Sequence, residues 1–444
     1  LVKIALIGAG SQVFSRRLIT DILSFPDLRD RTTIALMDLD ADRLRLITAF
    51  ATKLVKQYGA TTRVEATTDR GAALDGADYV TTTLRQGGPE VSWYDKAIPA
   101  KYGVHHSVGD TMGPAGVFYG LRHIPLLLSI AHDMEDRCPD ALLLNYTNPM
   151  AMICWALNAY TRVKNIGLCH SVQGTAEQLA AYLGAPMAEV SYWVAGINHM
   201  AWFLHLHWRG RDAYPLLAEK FKDPAVYSTA SQPDTVRVLI FKAFGYFVTE
   251  SSRHMSEYVP YFRQRPELLK GFGLTLHEPY LRREPPPEPP RRPRDEETQR
   301  LVTGAEPIPM HRSNEYCSYI IHSLEHGTPY DGSRRVNVNV KNTGLITNLP
   351  PNACVEVPCL VDAMGIHPCY VGNLPPQCAA LNRTNINVQE LGMRAAVEKD
   401  KTLAYQAILL DPLTSAVLTL AETRQMVEDM FTAQVKLGYL TDFT

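Results

Sequence analysis

The segment GLCHSVQGT, residues 167–175, ends an apolar run on Cys169 and His170. A thiolate and an imidazole are donors that transition metals prefer, and an imidazole also carries a proton near neutral pH. A second polar pair, Asn198-His199, interrupts the otherwise apolar stretch GINHMAWF (196–203). Two ligands drawn from two segments leave coordination positions open for substrate oxygens or water, as a catalytic metal requires. By residue type alone, Cys169 reads equally as a small buried thiol and His199 as a satisfied core histidine. The eight cysteines form no CxxC pair, so reduced thiols and a cytoplasmic protein are expected.

A second constellation lies at the N-terminus. The apolar run VKIALIG leads into Gly8-Ala9-Gly10-Ser11 and then a helical pattern. Glycines there let the backbone approach a pyrophosphate, whose charge is met by the helix N-terminus. Val13 stands where the third glycine of GxGxxG would fall, so the match is partial. The next apolar run, TIALMDLD, ends at Asp38, the place for a carboxylate holding a ribose diol. An acid there favours NAD over NADP, because it repels a 2′-phosphate. Asp40 competes for that role, with a helix N-cap as its alternative. In NYTNPM (145–150), Asn145 and Asn148 fall at the end of a further strand, where ligands bind in this architecture, although asparagine also serves turns.

These residues need a scaffold. Six apolar, β-branched strands alternate with helical segments through residue 167. This predicts an α/β protein with a Rossmann-like, doubly wound parallel sheet of the lactate/malate dehydrogenase kind. The expected division is a dinucleotide-binding domain over 1–172 and an α+β substrate and metal domain over 173–444. In the second part, aromatic alternation over 190–210 predicts antiparallel strands, with helices near 233–245 and 313–325. Short strands follow over 336–368, then a helical end from about 386. REPPPEPPRRPRDEE (283–297) is dense in proline and charge and is expected to be a surface loop.

The 444 residues carry a net charge of −2 and no basic stripe, which argues against a nucleic-acid partner. No apolar run reaches membrane-spanning length, and no signal-peptide pattern opens the chain.

Taken in order, GAGSQVF, MDLDADRL, GDTMGPAG, LNYTNPMAM, GLCHSVQGTAEQLA, GINHMAWF, YFVTESSRH and NLPPNACVEVPCLVD closely resemble glycoside hydrolase family 4, in particular its α-galactosidase branch acting on melibiose-type substrates. The likeness runs over nearly the whole chain, weakening at 283–297 and up to 312. It implies an enzyme needing NAD, a divalent metal, usually manganese, and reducing conditions. The implied reaction oxidises C3 of the sugar, removes the C2 proton, eliminates the C1 substituent, adds water and re-reduces C3, so hydrolysis involves no net redox change. It also implies Cys169 and His199 as metal ligands, His170 as general acid, Asn148 as a substrate-binding residue and Asp110 in a loop touching sugar or metal. The base it implies is Tyr258 or Glu250, with Tyr261 behind them. Relatives are dimers or tetramers, so a homodimer or homotetramer acting on a small glycoside is expected. A galacturonidase or glucuronidase is the nearest alternative; it needs a cation for the sugar carboxylate, for which Arg85, Arg253 and Arg312 are candidates. A lactate/malate-type dehydrogenase is the more distant one and would need no metal.

Overall fold

The computed structural model describes residues 1–229, 233–275, 293–327 and 335–444. One sheet organises them. Six strands, β1 (Val2–Ile7), β2 (Thr32–Met37), β3 (Arg63–Thr67), β4 (Tyr79–Thr82), β5 (Leu142–Asn145) and β6 (Lys164–Gly167), are all parallel in the order β3-β2-β1-β4-β5-β6. That order reverses direction between β1 and β4, which opens a crevice at the carboxyl ends of the strands. The fold is the doubly wound α/β sheet expected from the strand pattern. The later strands join the same sheet antiparallel: β7 (Val190–Ile197), β8 (Met200–Trp208), β9 (Arg211–Asp212), β10 (Arg335–Lys341), β11 (Cys354–Asp362) and β12 (Gly365–Pro368). β10 meets β6 at Asn339 and Gly167, and β11 meets β7 at Glu356 and Gly196. Strands from both halves of the chain therefore share one hydrogen-bonded layer.

The helices follow from local rules. Ala41–Tyr58 is capped by Asp40, whose side chain accepts from the amides of Asp42 and Arg43. It stops at Gly59, which takes the left-handed conformation (φ 64°) that glycine adopts without a Cβ clash. Leu44, Ile47, Ala51 and Leu54 form its buried stripe. Replacing Asp40 with Ala would forfeit the cap, at about 1 kcal/mol. The long helix Gly113–Arg137 begins under the loop 109–112. At Gly116 a Cβ would stand 2.4 Å from the Thr111 carbonyl carbon, so only glycine lets the loop fold down on the first turn.

The structure departs from expectation at three places. Residues 293–297 are helical, as the start of Pro293–Thr303, whereas 283–292 of the expected loop lie outside the described residues. Proline is tolerated in a first turn, and Asp295 and Glu296 suit the positive end of the helix dipole. The helix is tied down by Arg43–Asp295 (3.4 Å), Arg16–Glu297 (2.8 Å) and Lys53 Nζ on the Leu301 and Gly304 carbonyls (2.7 Å each). The helical end starts at Pro376 rather than about 386. Finally, Asn198 and His199 are the two-residue turn of the β7–β8 hairpin, since Ile197 pairs directly with Met200. A tight hairpin turn requires positive φ, which His199 supplies at 66°.

Candidate active site

The turn after β1 packs against the end of β2. Gly8 has φ 87°, and a Cβ on it would lie 2.8 Å from the Thr83 carbonyl oxygen. Gly10 N donates to Asp38 Oδ2 (2.7 Å), and Asp40 N donates to Asp38 Oδ1 (2.8 Å). Asp38 is thus held at the lip of the turn, while Asp40 is the N-cap of the next helix. Among the described residues, the helix Phe14–Leu23 that follows has no side-chain cap, and Ser15 Oγ near its start is buried with no hydrogen-bond partner. A helix N-terminus without a side-chain cap and an uncommitted hydroxyl suit a pyrophosphate, so the residues present fit a dinucleotide.

Cys169 follows β6 on the same carboxyl edge. Its backbone amide donates to the Tyr316 hydroxyl (3.0 Å), which lies 2.8 Å from the Asn337 carbonyl oxygen, so the end of β6 is pinned to β10. One donor atom each of Cys169, His199 and Glu250 lies within 4.8 Å of the others. Thiolate, imidazole and carboxylate together fit a borderline divalent metal. His199 Nε2 stands 3.6 Å from Glu250 Oε2, and its Nδ1 stands 3.0 Å from the Tyr258 hydroxyl. Burial lowers the proton affinity of His199. A neutral ring that donates Nδ1–H to Tyr258 leaves the Nε2 lone pair facing Glu250. Glu250 also takes positive φ (73°). Two non-glycine residues in the left-handed region, at about 1–3 kcal/mol each, mark the cluster as a place where the fold holds strain.

A web of polar contacts surrounds the cluster. His254 Nδ1 lies 3.4 Å from Glu250 Oε1, and its Nε2 lies 2.9 Å from the Tyr258 hydroxyl and 3.5 Å from Asp110 Oδ1. Burial opposes a charge on His254, but the hydrogen bonds and charges of Asp110 and Glu250 hold its pKa well above the usual imidazole range. In return, burial would raise Asp110, yet His254 brings it down to about 2. Glu250 is likewise held well below the carboxylate range against the pull of burial, by His199 and His254. Asn148 Nδ2 donates to Asp110 Oδ2 (3.1 Å), which brings the end of β5 into the same web. The Tyr258 phenol is 2 % exposed, and burial with the nearby Asp110 charge pushes its pKa well up in the protein alone.

His170 stands apart from this web. Its Nδ1 is 3.4 Å from Glu315 Oε1, and that hydrogen bond, more than any other influence, raises its pKa to about 9. Arg17 shares the same carboxylate oxygen at 3.4 Å.

Asp110 itself is positioned from below. The buried Glu257 carboxylate accepts the amides of Ser107 (2.5 Å), Val108 (2.6 Å) and Gly109 (3.0 Å). Arg253 bonds the Ser107 side chain and its carbonyl oxygen (3.0 Å), and Arg263 reaches the His105 carbonyl (3.3 Å). The segment 250–263 therefore clasps the loop 105–111 while supplying Glu250, His254 and Tyr258 from its other side.

Cys169, His199, Glu250, Tyr258, Asp110 and Asn148 come together. Asn145 does not join them: its amide is spent on Thr82 and Thr147 at the strand end. Tyr261 is 46 % exposed and packs near Phe244 and Phe262. Arg312 lies over the Phe25 ring (4.2 Å) and bonds Ser24 at the foot of the helix Phe14–Leu23, away from the carboxyl edge. Sequence reasoning passed over His254, Glu257, Glu315 and Glu356. The first two were signalled by the density of charge in TESSRHMSEY and by the i,i+4 spacing of His254 and Tyr258. Glu356 has no such signal. It lies opposite Gly196 and Asn339 in the sheet, wholly buried, and among the described residues neither carboxyl oxygen has a hydrogen-bond partner. Burial and the Cys169 charge raise its pKa well above the usual range.

Comparison with known proteins agrees over nearly the full length. Residues 3–185 match the model of the family 4 glycosyl hydrolases, and residues 194–414 match that family's C-terminal domain. An α-galactosidase of Bacillus subtilis is 41 % identical over 434 residues, covering 97 % of this chain and 98 % of its own. An α-galacturonidase of Lachnoclostridium phytofermentans is 30 % identical over 460 residues, covering 97 % and 96 %. Among solved structures, the Bacillus subtilis protein lplD superposes with a TM-score of 0.83 at 28 % identity, covering 97 % of this chain and 99 % of its own. The 6-phospho-β-glucosidase of Thermotoga maritima, solved with manganese, NAD+ and glucose-6-phosphate, shares the fold at TM-score 0.77 and 22 % identity, covering 98 % and 99 %. With both halves matched and the motif residues gathered at one sheet edge, the chain belongs to family 4 of the glycosyl hydrolases.

Proposed function

We propose that the protein is an NAD- and manganese-dependent α-galactosidase acting on small, melibiose-type glycosides. The observation that carries this reading is the Cys169–His199–Glu250 cluster on the same sheet edge as the glycine turn, with a proton-holding His170 beside Cys169. A plain dehydrogenase has no use for such a donor set.

Gly8, Gly10, Ser11 and Asp38 would hold the dinucleotide; Cys169 and His199 would hold the metal, with Glu250 as a third donor. When bound, NAD supplies a reversible two-electron oxidation at C3, and the dication supplies Lewis acidity that favours loss of the C2 proton. Tyr258 is the base in this reading. Its oxygen is flanked by His199 Nδ1 and His254 Nε2, two donors whose hydrogen bonds favour the phenolate against burial. His254, kept charged by Asp110 and Glu250, steadies that phenolate and fixes the orientation of both carboxylates. His170 gives its proton to the leaving oxygen at C1, and Glu315 keeps the imidazole charged until then. Asn148 and Asp110, joined to each other, offer an amide and a carboxylate oxygen to sugar hydroxyls.

The galactoside reading is supported by the 41 % identical α-galactosidase. Arg312 lies at the foot of the sheet and Arg253 is engaged with Ser107, which leaves Arg85, exposed on the loop after β4, to meet a sugar carboxylate. Among the described residues no helix is long and apolar enough to cross a membrane. The eight cysteines are free thiols, in keeping with a cytoplasmic enzyme, and a homodimer or homotetramer is the proposed assembly. The test is a panel of α-galactosides, α-galacturonides and α-glucuronides assayed with NAD, Mn²⁺ and a reducing thiol. Galactoside cleavage without accumulation of NADH is expected. Faster cleavage of the uronides overturns the substrate assignment, and net NADH production overturns the hydrolase reading.

A further inference from the structure

We propose that Asp27, His322 and His326 form a second, transition-metal site of the zinc type, on the sheet edge opposite the Cys169 cluster. His322 and His326 are four residues apart on the helix Cys317–His326, so they share one face, and their ring centroids are 4.7 Å apart. Asp27, in the short helix Pro26–Arg29, brings its Oδ2 to 3.8 Å from His322 Nε2. One donor atom of each of the three lies within 4.8 Å of the others. In a tetrahedral zinc site with bonds of about 2.0–2.1 Å, donors stand roughly 3.4 Å apart, so modest side-chain rotations would close the set. Two imidazoles and one carboxylate suit zinc, cobalt or nickel rather than magnesium or calcium.

The surroundings hold the donors in place. The Phe25 ring lies 4.8 Å from that of His322 and is covered on another side by Arg312 at 4.2 Å. Asp27 is exposed, which gives an ion a way in and leaves a fourth position for water. The location sets the consequence. Asp27 follows the lower end of the helix Phe14–Leu23, and Glu325 bonds the hydroxyl of Tyr79, the first residue of β4 (2.7 Å). Both mark the amino edge of the parallel strands. The same helix that carries the two histidines is preceded by Glu315 and Tyr316, which hold His170 and Cys169. A metal joining this helix to Asp27 would brace the far end of the element that orients the acid and one ligand of the active site.

The test measures zinc bound per chain by equilibrium dialysis at low-micromolar free zinc, together with the thermal midpoint. Cys169→Ser removes the competing thiolate, and in that variant one zinc per chain and a midpoint raised by several degrees are expected. Cys169→Ser combined with His326→Ala should bind none and show no rise. The single variant His326→Ala should keep manganese-supported turnover, because His326 touches no part of the active site. If Cys169→Ser binds no zinc, or the double variant binds as much as Cys169→Ser, the second site does not exist. Asp27→Asn in place of His326→Ala gives the same readout should the histidine variant fold poorly.

Discussion

The Glu315 carboxylate, 1 % exposed, lies 3.4 Å from Nδ1 of His170, whose side chain is 55 % exposed. A buried anion thus serves an imidazole that opens toward the crevice, and His170 holds its proton up to about pH 9. The sign follows directly. The acid is present at neutral pH and is lost as pH rises through about 9, so kcat/KM for glycosides with poor leaving groups should fall there. Replacing Glu315 with Gln removes the largest cause of the shift, and the basic limb should move toward the ordinary imidazole value of about 6.5. A pH–rate profile of Glu315→Gln with an unmoved basic limb would show that His170 is not the proton donor.

Cys169 provides a test that separates the proposed metal binding from nucleotide binding. It lies beyond the end of β6, whereas the glycine turn follows β1 and packs against the end of β2, and among the described residues the hydrogen bonds of Cys169 go to Tyr316 and Ser171. Cys169→Ser should therefore lose most activity while NAD still binds, as followed by quenching of protein fluorescence. Full activity of Cys169→Ser with no increase in the manganese concentration required would mean that the thiolate is not a ligand.

The elements that position the site were legible because each obeys a short-range rule. β1, β2, β4 and β5 are mostly apolar or β-branched runs, and Gly59 ends its helix where no other residue fits as well. The Cys169–His199 pairing was legible as residue type but not as geometry, because His199 reaches Cys169 only through the β7–β8 hairpin turn and the β10–β11 bridge between the two halves. The role of Glu257, though not the charge density around it, and Glu315 altogether were hidden for the same reason. Their partners, Ser107 to Gly109 and His170, lie some 150 residues away along the chain, and a lone glutamate reads as a solvated surface charge until the fold buries it. The helix from Pro293 was missed because proline and charge density outweighed the first-turn rule. What stabilises it is a set of ion pairs to Arg16 and Arg43 that no local pattern announces.

Glu257 provides a test of the clasp. Its carboxylate accepts three backbone amides, whereas a glutamine offers one carbonyl oxygen and an amide group that cannot accept them. Glu257→Gln should leave at least one of those buried N–H groups without a partner, at about 1–3 kcal/mol. The folded protein holds Glu257 well below the carboxylate range, despite its burial, through His106 and the His254 charge. Its contribution is thus present above the unfolded carboxylate pKa of about 4.3 and is lost as pH falls toward its depressed folded value. Denaturant unfolding at neutral pH should show the loss in Glu257→Gln. Because the loop carries Asp110, kcat should fall as well, with NAD affinity unchanged. A variant as stable and as active as the parent would show that the loop is held by Arg253 and Arg263 alone.

The base is decided by isotope exchange rather than by overall rate. Tyr258 and Glu250 both face the cluster, but their chemistry differs. Glu250 is pulled far below the carboxylate range by two histidines, which makes it a weak base and a good metal donor. Tyr258 has a high intrinsic basicity that its two imidazole neighbours can bring into use. In D₂O, the parent enzyme should place deuterium at C2 of the product sugar. Tyr258→Phe should abolish that incorporation while retaining NAD, because the hydroxyl is removed with little change in packing. Glu250→Gln should instead weaken manganese affinity and recover C2 exchange as manganese is raised. Full deuterium incorporation in Tyr258→Phe, coupled with none in Glu250→Gln at saturating manganese, would transfer the role of base to Glu250 and leave Tyr258 as the residue that fixes the His199 ring.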